Sequence, residues 1–311
     1  MANLISSEKT PWKAIGIVIT ISILYLSFTA IFIGLKPEHF YIIGFYNALF
    51  VFSSKTRKFI LAFTVFLIFG ILYDIMKVFP NYWFNNVDIA SLYHFEKSVF
   101  GFLYHKQLYT PNEFFAAHHC SFLDVYCGIS YLNWVPVPLA FGTWLYFKNK
   151  QQFLQFSLTF LFVNIIGFCI YYVHPAAPPW YIGMYGSDLN LNVSGNPGGL
   201  IRFDNFFHLK VFGSIYSRNS NVFAAIPSLH SSYPVIVLFY AIKNNVKWVK
   251  YLLILFMVSI WFTAVYSGHH YVTDVLLGIS CALVGIIIFQ KLLLKWNWFQ
   301  KFINKYEFAI S

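Results

Sequence analysis

The sequence predicts an all-α membrane protein: a polytopic transmembrane helix bundle of six to eight helices, eight favoured, with loops on the outer face. Two features of the composition predict this class. Of the 311 residues, 59% are hydrophobic and only 10% are charged, whereas a soluble domain has about 25% charged residues. Aromatic residues make up 22% of the chain, as expected where ring-bearing side chains face lipid or lie at the bilayer interface.

Apolar stretches along the chain supply the predicted crossings. A membrane-spanning helix needs about 20 mostly apolar residues. Clear candidates are Trp12–Leu35, Phe59–Phe79, Phe122–Phe147, Phe153–Val173, Ala225–Ile242, Tyr251–Tyr266 and Val272–Leu294. The shorter stretch Phe40–Phe52 either crosses or re-enters. The first stretch is too long for the apolar region of a signal peptide and lacks a small-residue cleavage site, so we expect a retained helix.

The charged residues orient this bundle. With eight crossings and the N-terminus inside, 14 of the 21 Lys and Arg residues, from Lys9 to Lys305, lie on the inner side, as the positive-inside rule requires. We attribute the net charge of +10 to orientation and contact with anionic lipid, and expect no nucleic-acid partner. All ten histidines lie on or near the outer side, which indicates the face where chemistry takes place. The four cysteines lack metal-ligand or redox spacing, and we expect no metal or other cofactor.

We expect one membrane domain, 1–311, because no long polar linker divides the helices. It comprises N-terminal transmembrane helices (1–80), an outer interfacial segment that contains amphipathic helices (81–121), and a catalytic core (122–295). A second outer connection, His174–Asn221, is rich in Gly, Pro, Ser and Asn and is predicted to be irregular. Loops this long usually have a function.

The first candidate catalytic element is the run from Phe223 to His230, which opens a helix. Pro227 is favourable near a helix start, and Ser228 is a potential cap and a candidate phosphate-binding residue. The free N–H groups and the positive end of the helix dipole attract an anion, and His230 projects close to that position. The alternative is a structural histidine that bonds to a loop.

The second candidate element is the pair His270 and Asp274. Residues four apart on a helix share one face, and a carboxylate at one ring nitrogen leaves the other nitrogen free to attack. A buried Asp in a membrane costs about 2.5–3.5 kcal/mol, so Asp274 needs a partner, and His270 is the nearest. His269 lies on the wrong face for this pairing. The alternative is a structural pair that holds a turn.

The long loop supplies candidate phosphate-binding residues. Prolines enforce an extended chain between His174 and Trp180, where Trp180 and Tyr181 are also typical interface anchors. Arg202 and Arg218 can each form two-pronged bonds with a phosphate. Arg202 could instead pair with Asp204 or with lipid head groups. Together, the two histidine elements, a helix N-terminus and nearby arginines indicate a phosphate-handling site at one membrane face.

At these residues the chain resembles the type 2 phosphatidic acid phosphatase superfamily. Pro227-Ser-Leu-His230 is similar to its P-S-G-H motif, and His270-x-x-x-Asp274 to its final motif. The closer resemblance, over about residues 170–280, is to inositol phosphorylceramide synthases of the fungal type. It is carried by His174-Pro-Ala-Ala-Pro-Pro-Trp-Tyr181, Met184-Tyr-Gly186, Pro197-Gly-Gly-Leu-Ile-Arg-Phe-Asp204, Ala225-Ile-Pro-Ser-Leu-His230 and Ser267-Gly-His-His-Tyr-Val-Thr-Asp274.

The chain departs from the general phosphatase pattern at two places. The first motif, with a Lys and an Arg-Pro, is absent ahead of these elements, where His174–Tyr181 stands instead. Ala264 occupies the position of an Arg six residues before the nucleophilic His. The phosphate must then be held by other groups, for which Arg202 and Arg218 are the candidates, and both departures favour the synthase subgroup.

The resemblance implies a six-helix phosphatase-like catalytic core and a phosphohistidine mechanism. His270, oriented by Asp274, would attack phosphatidylinositol, and His230 would protonate the departing diacylglycerol. His230 would then act as base for the hydroxyl of a ceramide-type lipid, with no metal needed. The active site would face the periplasm from a bacterial inner membrane, or the lumen from a Golgi membrane.

The sequence leaves two other functions open, of which one uses the same residues and the other does not need them. A lipid phosphate phosphatase, hydrolysing a phosphomonoester or pyrophosphate lipid, would use the same histidines with water as acceptor. A non-catalytic lipid-binding or transport protein would not need His270.

Overall fold

The chain is built almost entirely from helices. The computed structural model describes residues 12–219 and 221–311; Lys9, predicted on the inner side, lies outside them. The helices are α1 (Trp12–Phe32), α2 (Pro37–Phe52), α3 (Ser54–Ile75), α4 (Ala90–Val99), α5 (Pro111–Ala117), α6 (Ser121–Leu132), α7 (Pro136–Lys148), α8 (Lys150–Val173), α9 (Pro179–Tyr185), α10 (Ile201–Phe207), α11 (Val211–Tyr216), α12 (Leu229–Lys243), α13 (Val249–Tyr266), α14 (Val272–Lys291) and α15 (Asn297–Ile310). The predicted all-α class is confirmed.

Five of these helices are long and apolar enough to cross a membrane: α1, α3, α8, α13 and α14. Large apolar side chains on their surfaces are exposed, for example Leu24 at 63% and Ile31 at 73%, as expected of surfaces that face lipid. The chain is therefore an integral membrane protein with several crossings. The count of eight crossings stays a prediction, because α2 and α12 have only 16 and 15 residues.

Two predicted segments differ from the structure. The prediction that Phe122–Phe147 forms one crossing is wrong. This stretch forms two helices, α6 and α7, separated by a turn at 133–135. Pro136 is the first residue of α7, where its missing N–H needs no partner, so it favours a new helix start. The loop predicted to be irregular between His174 and Asn221 contains α9, α10, α11 and a 3₁₀ turn.

The described chain divides into two compact units. Unit 1 comprises residues 12–78, 142–161 and 288–311, and unit 2 comprises 79–141 and 162–287. In unit 1, α2 packs against α1 and α3 around Phe50, which is 1% exposed. Buried Arg57 donates from Nε to the Phe50 carbonyl at 3.0 Å. Tyr306 of α15, a helix absent from the predicted elements, donates to the Leu61 carbonyl at 2.7 Å.

Unit 2 holds all the candidate catalytic residues. Its segment 79–121 contains α4, α5 and a hairpin, in which β1 (Phe102–Tyr104) pairs antiparallel with β2 (Gln107–Tyr109). Helix α13 packs against α6 and α12. Close contacts fix α12: a Cβ on Gly278 of α14 would lie 2.1 Å from the Ser228 carbonyl oxygen, and one on Gly167 of α8 would lie 2.5 Å from Leu229. The start of α12 is therefore held directly against α14.

Candidate active site

A tight turn between α13 and α14 carries His270. The backbone N–H groups of His269 and His270 both donate to the Ala264 carbonyl, at 3.1 and 3.0 Å. Gly268 has a φ of +72°, a backbone conformation that residues with a Cβ adopt rarely. The turn leaves His270 only 5% exposed and places Asp274 in the first turn of α14, fully buried.

The His270 ring is held at Nδ1 by two acceptors. The Ala225 carbonyl oxygen lies 2.9 Å from Nδ1, and Oδ2 of Asp274 lies 3.5 Å away. Both are acceptors, so the ring carries its proton on Nδ1 and keeps a lone pair on Nε2. The predicted His–Asp pairing is present, but a backbone carbonyl is the closer partner. Asp274 Oδ2 also accepts from the Tyr271 N–H at 2.8 Å.

His230 reaches the other side of the same ring. Its Nδ1 lies 3.3 Å from Nε2 of His270, and the two ring centroids are 5.6 Å apart. Tyr131 and Trp134 pack against the His230 ring, with centroids at 5.1 and 4.6 Å. An imidazole from the first turn of α12 and one from the turn before α14 thus meet within one hydrogen bond, and a phosphoryl group can lie between them once that bond opens.

Ser228 holds the start of α12 in a different way from the one predicted. It is the N-cap residue, but its side chain makes no capping hydrogen bond. Its hydroxyl oxygen accepts from Ser231 Oγ at 3.0 Å, and its backbone N–H donates to the Asp274 carbonyl at 2.9 Å. Ser228 is fully buried, so the structure assigns it to joining α12 and α14 rather than to capping.

Two buried residues from segment 79–121 hold the catalytic turn, and sequence reasoning missed both. The Glu96 carboxylate accepts from the backbone N–H groups of Val272 and Thr273, at 2.9 and 3.1 Å, and from the Thr273 hydroxyl at 2.7 Å. Asn112 Nδ2 donates to the carbonyls of Val265 and His270, at 2.8 and 2.9 Å. The only sequence signal for Glu96 was that it is the one acidic residue of α4, and nothing in the sequence singled out Asn112.

His269 has a packing role beside the site. Its Nε2 lies 2.8 Å from the Pro197 carbonyl oxygen, and its ring stacks on Tyr216 with centroids 4.2 Å apart. Burial, helped by the neighbouring His270, lowers the pKa of His269 to about 3. The neutral ring therefore ties the loop at Pro197 to the catalytic turn.

Arg202 does not pair with Asp204, one of the partners considered from the sequence. Its Nε donates to Asp124 Oδ1 at 2.6 Å, and the guanidinium lies over the Tyr266 ring, 5.0 Å from its centroid. Tyr266 also donates to Asp124 Oδ1, at 2.7 Å. Asp204 instead accepts from the backbone N–H groups that open α11. The prediction that Arg202 pairs with Asp204 is wrong. The role of Arg202 as a phosphate ligand stays a prediction.

The remaining predicted residues are dispersed. His174 is exposed, and its Nε2 lies 3.3 Å from Asp88 Oδ2. Arg218 is exposed just after α11. Tyr181 is fully buried and bonds through its hydroxyl to the Asp188 carbonyl and the Asn190 N–H. Its ring is part of the core, so the interpretation of Tyr181 as an interface anchor is wrong. The substrate-binding roles of His174, Arg218, Trp180 and Tyr181 stay predictions.

A cavity of about 590 Å³ lies beside the catalytic turn, within the size range of small-molecule sites. Trp180 and Arg202 line it, as do Ser267, Gly268 and Tyr271 of the turn. Trp180 is fixed there because its backbone N–H donates to the Gly268 carbonyl at 3.0 Å.

Comparison with known families agrees with this geometry. A family model described as the PAP2 superfamily matches residues 90–288, which include both histidine elements. The chain belongs to the PAP2 superfamily. The match begins at the first residue of α4, so it also takes in Glu96 and Asn112.

Named relatives of this PAP2 protein are synthases. It is 51% identical over 293 residues, 93% of the chain and 95% of the relative, to a phosphoinositol dihydroceramide synthase of Bacteroides thetaiotaomicron. It is 33% identical over 130 residues, 42% of the chain and 31% of the relative, to the catalytic subunit of inositol phosphorylceramide synthase of Saccharomyces cerevisiae. No solved structure matches the chain. The resemblance inferred from the motifs is confirmed.

Proposed function

We propose that this protein transfers phosphoinositol from phosphatidylinositol to a ceramide-type lipid alcohol and releases diacylglycerol. The observation that carries the proposal is the 3.3 Å approach of His230 Nδ1 to His270 Nε2 in a membrane protein of the PAP2 superfamily. The names of the relatives, phosphoinositol dihydroceramide synthase and inositol phosphorylceramide synthase, support this donor head group and this class of acceptor.

In the first half of the proposed reaction, His270 Nε2 attacks the phosphorus of phosphatidylinositol. Burial and the neighbouring histidines favour a neutral His230 in the empty site, whereas the negative charge of the bound phosphodiester favours the imidazolium. In that form His230 gives its proton to the departing diacylglycerol oxygen. The phosphohistidine ring becomes cationic, since Nδ1 keeps its proton. The Ala225 carbonyl and Asp274 Oδ2, at 2.9 and 3.5 Å from Nδ1, stabilise that charge.

In the second half, the now neutral His230 accepts the proton of the acceptor hydroxyl. The alcohol oxygen attacks phosphorus, and the bond from phosphorus to Nε2 breaks. His230 is protonated again and His270 is neutral again, so both return to their starting states. General acid–base help of this kind contributes about 10²- to 10⁴-fold.

Transfer from labelled phosphatidylinositol tests the proposed function. The purified protein in liposomes, with donor labelled in the inositol ring, is expected to form labelled inositol phosphorylceramide only when ceramide is added. His270→Ala should abolish the product, whereas His94→Ala, at an exposed histidine of α4, should not. Release of labelled inositol phosphate without ceramide would instead indicate a lipid phosphate phosphatase. Full activity of His270→Ala would contradict the catalytic proposal altogether.

The proposal includes a bacterial inner membrane with the active site facing the periplasm. The relative from Bacteroides and the distribution of basic residues support it. In a cysteine-free background, an impermeant thiol reagent applied to intact cells should label Asn205→Cys and not Lys247→Cys, both at exposed positions. Labelling of Lys247→Cys alone would contradict this orientation.

A further inference from the structure

Helix α15 exposes aromatic side chains on one face. Trp298 is 70% exposed and Phe302 is 41% exposed, and their rings lie nearly parallel with centroids 6.3 Å apart. Trp296, immediately before the helix, is 65% exposed. Adjoining aromatic side chains on a surface indicate contact with a partner or with a membrane interface, and none of these residues takes part in the proposed reaction.

A different face of α15 holds the helix against the rest of unit 1. Ile303 is 3% exposed and Ile310 is fully buried, and residues seven apart share a helix face. Tyr306 donates to the Leu61 carbonyl of α3 at 2.7 Å, and the Tyr146 hydroxyl donates to the Ile310 carbonyl at 3.4 Å. This packing leaves the face with Trp298 outward.

The contact with α3 sets the depth of α15. Leu61 is seven residues after Ser54, the first residue of α3, so it lies about 10 Å from the start of that helix. Lys55 and Lys58 come before Leu61, and α3 is apolar enough to cross a membrane. Leu61 is therefore near the level where a charged helix end becomes an apolar span. Interfacial helices lie at about this depth, 5–10 Å into the head-group region.

The connection to α14 keeps α15 at the membrane face. Only residues 292–296 separate the two helices, and α14 is itself long and apolar enough to cross. Five residues span at most about 18 Å when fully extended. The helix therefore cannot move far from the point where α14 ends.

Lysines lie along one edge of the exposed aromatic face. Lys301 and Lys305 follow Trp298 and Phe302, respectively, by three residues, and both are exposed. Positions three apart are neighbours on a helix surface. Glu307, the one acidic residue of α15, is five residues after Phe302 and lies on another face. Aromatic residues beside lysines are typical of helices that lie in the head-group layer and bind anionic lipid.

We infer that α15 lies in the head-group layer of the membrane face where α14 ends and binds anionic phospholipids there. Trp298 and Phe302 lie at the boundary with the acyl chains, and the ammonium groups of Lys301 and Lys305 lie at lipid phosphates. A second copy of the chain fits this face less well, because a symmetric contact would bring four lysines together. The placement does not depend on the proposed catalytic chemistry.

Nitroxide accessibility in liposomes of phosphatidylcholine and phosphatidylglycerol tests this placement. In a cysteine-free background, a nitroxide on Phe302→Cys is expected to collide more often with oxygen, which concentrates among acyl chains, than with a water-soluble nickel chelate. A nitroxide on Asn304→Cys, exposed on another face of the same helix, is the matched control and should show the reverse. If Phe302→Cys lowers the unfolding temperature, Trp298→Cys replaces it.

Two outcomes of the nitroxide experiment would overturn the placement. Equal access of the nickel chelate to positions 302 and 304 would mean that the aromatic face lies in water. Protection of position 302 from both reagents would mean that a partner protein or a second copy covers it.

Thermal unfolding in the same liposomes tests the contact with anionic lipid. Adding phosphatidylglycerol to phosphatidylcholine should raise the unfolding temperature of the wild type, and Lys301→Gln/Lys305→Gln should lose most of that rise. Lys106→Gln/Lys210→Gln, at two exposed lysines of unit 2, is the matched control and should keep it. High salt, which screens charges, should reduce the rise in the wild type. An equal rise in both double variants would overturn the contact of α15 with anionic lipid.

Discussion

The buried carboxylate of Glu96 accepts two hydrogen bonds from Thr273, one from its backbone N–H and one from its hydroxyl, although 177 positions separate the residues. An acidic group at a helix N-terminus is favoured by the helix dipole. Glu96 therefore fixes the start of α14, which carries Asp274, from outside the membrane-spanning helices.

Replacement of Glu96 should destabilise the protein and slow transfer. Glu96→Ala leaves the N–H groups of Val272 and Thr273 without this acceptor, and we expect a loss of about 1–3 kcal/mol in unfolding free energy with a lower kcat. Thermal unfolding in detergent and the transfer assay measure the two effects. Asp188→Asn, at an exposed loop residue, is the control. A wild-type kcat for Glu96→Ala would argue against a positioning role.

Asp274→Asn should retain the fold and lose most of the activity. The amide keeps the size of the side chain but removes the charge that faces Nδ1 of His270 at 3.5 Å. Loss of the corresponding carboxylate in a Ser-His-Asp triad lowers kcat about 10⁴-fold. We expect a decrease of about 10²- to 10⁴-fold here, because the Ala225 carbonyl continues to orient the ring. A decrease below about tenfold would assign Asp274 a purely structural role.

His230→Ala should accumulate phosphohistidine when the donor needs no acid. A phosphoinositol ester with a nitrophenol leaving group departs without protonation, so His270 attack proceeds. The second half of the reaction then lacks its base, so labelled protein is expected to accumulate. The His230→Ala/His270→Ala double variant should not become labelled. Acid-labile label detected on the intact protein measures it. Rapid turnover to inositol phosphorylceramide without accumulation would remove His230 from the second step.

The lowered pKa of His269 predicts a stability change at acidic pH. The unfolded chain binds a proton at this residue below pH 6.5, whereas the folded protein does so only near pH 3. Stability should therefore fall as the pH is lowered through this window, by up to about 1.4 kcal/mol per pH unit from this group. Unfolding between pH 6.5 and 4.5 should be less pH-dependent for His269→Gln. Parallel wild-type and variant profiles would contradict a neutral buried ring.

Gly278→Ala tests the contact between α12 and α14. The new methyl group would lie 2.1 Å from the Ser228 carbonyl oxygen, and overpacking of this kind costs about 1–3 kcal/mol. Activity should also fall, since Ser228 precedes the turn of helix that carries His230. Gly70→Ala in α3 has no atom within 4 Å of its Cβ and should be neutral or stabilising. Equal unfolding temperatures for the two variants would contradict the close contact.

The part of the catalytic site that is local in the chain could be predicted from the sequence. His270 and Asp274 are only four residues apart, so a short stretch of chain brings them together even though His270 lies in the turn before α14, and a recognisable motif marks His230. Glu96, Asn112 and Asp124 were missed because their partners are 78 to 177 positions away. Hydrophobic periodicity has no information about such pairings, and a buried acidic residue in sequence looks like a solvated one.

The lengths of the apolar stretches predicted the presence of helices better than they predicted where the helices begin and end. Phe122–Phe147 is continuous in hydropathy, yet Pro136 opens a second helix within it. Tyr181 was expected at an interface because aromatic residues concentrate there, whereas its hydroxyl is satisfied by the loop at Asp188 and Asn190 and its ring fills the core. Both differences arise from local backbone geometry, which is not visible when composition is averaged over a stretch of sequence.

The anchoring of the catalytic turn by Glu96 and Asn112 has a practical consequence for dissecting this enzyme. A truncated protein that starts at residue 122 would keep both catalytic histidines and Asp274, yet it would lack the two side chains that hold the turn between them. Inactivity of such a fragment would therefore say nothing about the N-terminal helices. A shortened protein for mechanistic work has to retain the chain from α4 onward.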